Sequence, residues 1–99
     1  MNYTIEKLEV DIAKIISELS QMRKDKGHDY SGTEDTLDNL REFGAFGVLV
    51  RIGDKFKRLK HYYKSGKDLK IKDETALDTI NDLINYSLYL RTLFEQEKL

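Results

Sequence analysis

From Thr4 to about Lys24, Ile5, Leu8, Ile12, Ile15, Ile16, Leu19 and Met22 return at steps of three and four residues. That spacing lines one side of an α-helix. Thr4 is placed to cap this helix, with Lys7 where a capping box would carry Glu. The run Lys26-Gly27-His28-Asp29-Tyr30-Ser31-Gly32-Thr33 then sets two glycines among turn formers, which predicts a loop that presents His28, Asp29 and Tyr30.

A second helical stretch is predicted to start near Asp35 or Thr36, to pause around Gly44 to Gly47, and to run from about Phe46 to Lys64 with Leu49, Ile52, Phe56, Leu59 and Tyr63 on one face. Ser65-Gly66 closes it, and Lys67 to Lys72 is a connector in which Leu69 to Ile71 is too brief to support a sheet. Asp73 is placed to cap a last helix that reaches about Glu97. Its apolar face is read as Leu77, Ile80, Ile84, Ser87 and Leu88, with Leu83 and Leu90 beside it. No internal repeat, proline or low-complexity tract interrupts the pattern. The expected fold is all-α, a small helical bundle of three long helices and one short one forming a single domain over residues 1–99.

Composition narrows the chemistry. A chain of 99 residues with 35% charged and 39% hydrophobic residues is polar, yet its apolar residues are periodic, which argues for folding over disorder. With no cysteine there is neither a disulfide nor a thiolate ligand, and with His28 and His61 as the two histidines any metal would be held by oxygen. The charged residues within Met1 to Val10 do not fit the apolar core of a signal peptide, and no apolar run approaches ~20 residues. A cytoplasmic location without membrane contact is expected. The net charge of −1 gives no global pull toward nucleic acid. The charge is nonetheless uneven: residues 51–72 are strongly basic, and 73–85 hold Asp73, Glu74, Asp78 and Asp82 with no cation.

On the last helix, Glu74, Asp78, Asn81, Asp82 and Asn85 fall within about 100° of arc, beside the apolar face. Carboxylates four residues apart can converge on Mg²⁺ or Mn²⁺, and without a counter-ion they repel. The plainer reading, acidic residues favouring the positive end of the helix dipole, suits Asp73 and Glu74 better than Asp82. On the preceding helix Gly47, Arg51, Asp54, Arg58 and His61 share a face, with Lys55 at its edge. These cations suit phosphate oxygens, or else form intrahelical ion pairs on a solvated surface. No serine, histidine and acid set points to nucleophilic catalysis, and Tyr62, Tyr63, Tyr86 and Tyr89 suit core edges or an interface.

Taken in order, Lys26-Gly27-His28-Asp29-Tyr30, Asn39, Arg51-Ile-Gly-Asp54-Lys55-Phe-Lys-Arg58-Leu59, Asp73-Glu74 and Asp78-Thr79-Ile-Asn-Asp82-Leu-Ile-Asn85-Tyr86 resemble the nucleotide modification associated domain family of bacterial and phage proteins. That family is related to the MazG-like all-α nucleoside triphosphate pyrophosphohydrolases. The resemblance covers about residues 24 to 90 and leaves the first helix unmatched. It implies a MazG-like bundle, assembled as a dimer or tetramer, that binds a nucleotide through Mg²⁺ or Mn²⁺ and in active members releases pyrophosphate. Carried over, it would make Asp54, Glu74, Asp78 and Asp82 metal ligands, and Arg51, Lys55 and Arg58 phosphate ligands. His28, Asp29, Tyr30, Asn39 and Asn85 would lie at the nucleotide. The sequence departs from the pattern in offering only Asp54 on one helix and Thr79 where the Glu of Glu-x-x-Asp would fall on the other. A hydrolase, a binding module that sequesters a nucleotide or docks on a host protein, and an oligomeric adaptor whose acidic stripe pairs with a neighbour's basic helix all remain open.

Overall fold

The computed structural model describes residues 2–30, 38–66 and 75–97, apart from the side chains of 27–30, 38–40 and 97. It contains three helices, α1 (Ile5–Tyr30), α2 (Asp38–Ser65) and α3 (Ala76–Glu97), and no strand among the described residues. Contacts divide the chain into two compact units, Met1–Thr36 and Leu37–Leu99.

The first unit is α1. Its start follows the sequence: the Lys7 amide donates to Thr4 Oγ1 at 3.2 Å, and the Leu8 amide donates to the Thr4 carbonyl at 3.0 Å. Tyr3 reaches over the first turns and donates its hydroxyl to Asp11 Oδ2. The end differs from expectation, because α1 continues through Gly27, His28, Asp29 and Tyr30 where the composition predicts a loop. One glycine costs a helix about 1 kcal/mol, which a helix of 26 residues can absorb. The rest of the predicted loop, residues 31–37, lies outside the described residues, as does the predicted helix start at Asp35 or Thr36.

The second unit is a helical hairpin of α2 and α3. The predicted pause falls at Gly44, whose φ of 67° and ψ of −175° interrupt the helical path of α2. Such a conformation is open to glycine and almost nothing else. The separate short helix of the expectation is therefore not counted among the three. Just past the bend, a Cβ on Gly47 would lie 2.5 Å from Cβ of Phe43, so the close approach requires glycine there too. At its far end α2 closes on Gly66, with φ of 66° and its amide donating to the Tyr62 carbonyl at 3.0 Å.

The cap of α3 corrects the reading from sequence. Asp73 lies outside the described residues, and Thr75 does the capping. Thr75 Oγ1 accepts from the Asp78 amide at 3.1 Å, while Asp78 Oδ2 accepts from both the Thr75 amide and the Thr75 hydroxyl at 3.0 Å. This is a capping box in which aspartate stands in for the usual Glu or Gln.

With only a short connection between them, α2 and α3 run antiparallel. In α2 the buried and half-buried positions Val48, Ile52, Lys55, Leu59 and Tyr62 recur at steps of four and three. In α3 Thr79, Leu83, Tyr86, Leu90 and Leu93 do the same. Matching four-three seams are what lets two helices interlock along their length. Thr79 and Leu93 are fully buried, and the Thr79 hydroxyl is satisfied by the Thr75 carbonyl at 3.1 Å.

Both predicted apolar faces therefore need rotation. In α2 Ile52 and Leu59 belong to the seam, but Leu49, Phe56 and Tyr63 are exposed beside it and Val48 takes the buried place. In α3 the set Leu77, Ile80, Ile84, Ser87 and Leu88 lies around the helix from the seam, with Leu77 and Ser87 exposed and the other three half-buried. Ser87 instead donates to the Leu83 carbonyl at 2.9 Å.

Candidate functional site

The hairpin brings Lys55 and Asp82, two of the predicted site residues, into direct contact. Lys55 Nζ meets Asp82 Oδ2 at 2.9 Å across the seam, with the lysine side chain 16% exposed and the aspartate 38%. Lys55 reaches this place because it occupies a seam position, where its methylene stem is covered by the neighbouring helix and its ammonium emerges at the edge.

The same edge gathers further candidates. Arg51, Asp54 and Arg58 on α2, and Asp78, Asp82 and Asn85 on α3, are all offset from their seams in the same rotational sense. In an antiparallel pair of right-handed helices this puts them along one side. Arg51 and Asp54 are exposed, and Arg58 and Asn85 are half-buried. The edge is thus cationic on the α2 side and carries carboxylate and amide oxygens on the α3 side.

The described carboxylates of this edge have partners within the hairpin. Asp78 serves the cap of its own helix, Asp82 faces a lysine, and among the described residues no three histidine, aspartate or glutamate side chains come together to hold an ion. Thr79, at the position where the resembled motif would carry Glu, points into the seam, where a carboxylate would be buried without a partner. Glu74 lies outside the described residues.

His28, Asp29 and Tyr30 lie on the last turn of α1, and Asn39 lies in the first turn of α2; their side chains fall outside those described. The aromatic residues form two edge-on pairs, Tyr62 with Tyr63 at 5.1 Å between ring centroids and Tyr86 with Tyr89 at 6.1 Å. Tyr62, Tyr86 and Tyr89 are half-buried and Tyr63 is exposed.

Two features are not predicted from the sequence. The Lys55–Asp82 pair escapes because the helical wheel puts Lys55 at the edge of the face opposite the apolar residues; its signal is the four-residue step from Val48 to Ile52 and the three to Lys55. The Lys60 ammonium lies 5.6 Å from the Phe56 ring centroid; its signal is their i,i+4 spacing, which the assignment of Phe56 to the apolar face obscures.

No family model, curated protein or solved structure matches the chain. The resemblance to the nucleotide modification associated domain family therefore rests on its motifs alone. No helix among the described residues is long and apolar enough to cross a membrane.

Proposed function

We propose that this chain is a nucleotide-binding helical protein that takes phosphate at the α2–α3 edge, and that it binds without turnover. The observation that carries this reading is the Lys55–Asp82 pair, flanked by Arg51 and Arg58 on the same side of the hairpin. An arriving phosphate can take the place of Asp82 on the Lys55 ammonium, and an arginine fork can bind two of its oxygens. Asn85 supplies an amide beside the same edge for the sugar or base.

The choice of binding over hydrolysis follows from how the carboxylates are used. A pyrophosphohydrolase of the MazG-like kind needs several acids free to hold Mg²⁺ or Mn²⁺, whereas Asp78 is engaged in a cap and Asp82 in an ion pair.

Calorimetric titration of the full chain with nucleoside and deoxynucleoside triphosphates, with and without Mg²⁺, tests this. Binding that weakens at least tenfold in an Arg51→Ala, Arg58→Ala double variant, with the nucleotide recovered intact, supports the proposal. Absence of heat with every nucleotide, from protein of native helicity, would sink it. Mg²⁺-dependent release of pyrophosphate would replace it with the hydrolase reading.

A further inference from the structure

We propose that the outer face of α2, beyond the Gly44 bend, is a docking surface for an amphipathic helix of another protein, one half of which is apolar and the other acidic. This face lies apart from the nucleotide edge, since Arg51, Asp54 and Arg58 fall outside its arc, and its role is independent of nucleotide binding.

At 100° per residue, Phe46, Leu49, Val50 and Phe56 fall within about 120° of arc, turned away from the seam that packs on α3. Their side chains are 76, 50, 49 and 55% exposed, so the chain buries none of them. Four large apolar side chains along about 15 Å of one helix face form a patch, not scattered surface hydrophobicity. Gly53 lies in the same arc, and a Cβ there would meet nothing within 4 Å. The patch therefore has an open notch between Leu49 and Phe56 that a facing side chain can enter.

Beyond Phe56 the line continues as charge. Lys57, Lys60 and Lys64 are exposed, lie inside the same arc and extend the face toward the end of α2, with no carboxylate in the sequence between them. Lys60 joins the two halves, its ammonium 5.6 Å from the Phe56 ring centroid.

This lengthwise division selects the occupant. A second copy laid parallel would set lysines against lysines, and laid antiparallel it would press ammonium groups onto apolar side chains with no carboxylate to meet them. A helix that lies in a bilayer surface carries its cations beside an apolar stripe, whereas here they prolong the stripe itself. A nucleic-acid backbone would engage the lysines and leave the four apolar side chains in water. A helix with apolar residues against 46–56 and carboxylates against 57–64 satisfies both halves at once.

The test presents the full chain to a displayed library of helical peptides of about 20 residues with randomised surface positions. Recovered peptides should carry apolar residues in one half and Asp or Glu in the other. A synthetic copy of one of them, titrated calorimetrically, should bind about tenfold more weakly to a Lys57→Glu, Lys60→Glu, Lys64→Glu variant. Exchanging the peptide's acids for lysines should restore its affinity for that variant. A Phe46→Ser, Phe56→Ser variant of native helicity should lose the original peptide. If the native chain enriches no peptide over this serine variant, the proposal is overturned, as it is by peptides without an acidic half or by binding indifferent to the lysine reversal. Phosphatidylserine vesicles or a single-stranded oligonucleotide held through the same phenylalanines and lysines would overturn it in favour of lipid or nucleic acid. A doubled mass on sedimentation that the two serines abolish would overturn it in favour of a second copy.

Discussion

Lys55 on α2 and Asp82 on α3 join the two arms of the hairpin at 2.9 Å, the lysine being the more buried partner. A pair this accessible on the aspartate side contributes modestly, about 0.5–1 kcal/mol. A double-mutant cycle of Lys55→Met and Asp82→Asn, read by urea denaturation, should return a coupling energy of that size. The same variants separate structure from binding. Asp82→Asn should raise phosphate affinity, by removing the carboxylate that competes for the Lys55 ammonium, whereas Lys55→Met should reduce it. Equal losses in both would mean that Asp82 contacts the ligand or its metal directly.

Two glycines of α2 should respond to alanine in opposite directions. At Gly44 an added Cβ meets nothing within 4 Å, so the obstacle is the backbone, held at a φ of 67° with extended ψ. Gly44→Ala should therefore destabilise the chain by about 1–3 kcal/mol. Gly53 has equally open space but lies on the helical path. There alanine should stabilise by about 0.5–1 kcal/mol. Thermal denaturation of the two variants side by side checks the sign, and a neutral Gly44→Ala would mean that the bend is not fixed at that residue.

Much of this architecture is readable from sequence because caps and periodicity are local. Thr4 announces the start of α1, Ser65-Gly66 the end of α2, and the apolar repeat of the final stretch runs to Glu97 as expected. What fails are decisions that need a neighbour. The seam of α3 includes Thr79 and Tyr86, with Asp82 at its margin, and polar letters there steer the apolar face toward Ile80, Ile84 and Leu88 instead. A threonine that satisfies its own hydroxyl on the preceding turn is as easily buried as a valine, and nothing in the sequence announces it. The candidate site is legible as to edge: Arg51, Asp54, Lys55, Arg58, Asp78, Asp82 and Asn85 do share one side of the hairpin. It is not legible as to partner, because whether a carboxylate faces a metal, a cap or a lysine depends on the other helix and on which residue starts this one.

The capping box of α3 gives Asp78 a role that can be told apart from metal binding. Thr75→Ala removes the acceptor for the Asp78 amide and should lower stability by about 1 kcal/mol. Asp78→Asn keeps one carbonyl oxygen toward the Thr75 amide but loses the charge that favours the helix start, so it should cost less. Both losses should appear in the melting temperature without nucleotide or metal present. If Asp78→Asn leaves the melt unchanged while nucleotide affinity falls, the carboxylate is a ligand and the cap is incidental.

Tyr3 offers a probe of the start of α1 by pH. Its hydroxyl donates to Asp11, and this hydrogen bond, with smaller effects of desolvation and of the Asp11 charge, raises the phenol above its ordinary 10.0. Because the folded value is the higher one, the protonated form is favoured by folding. The stabilising effect is fully present below pH 10 and is lost as pH rises through the raised value, once the phenolate can no longer donate. An absorbance titration of the native chain should therefore contain a late component, above the ordinary tyrosine value, that belongs to Tyr3. Tyr3→Phe should delete that late component. Asp11→Asn should shift it toward lower pH, since a neutral amide is a weaker acceptor and carries no charge to oppose the phenolate. A Tyr3→Phe curve that keeps the late component would show that Asp11 does not hold this hydroxyl in solution.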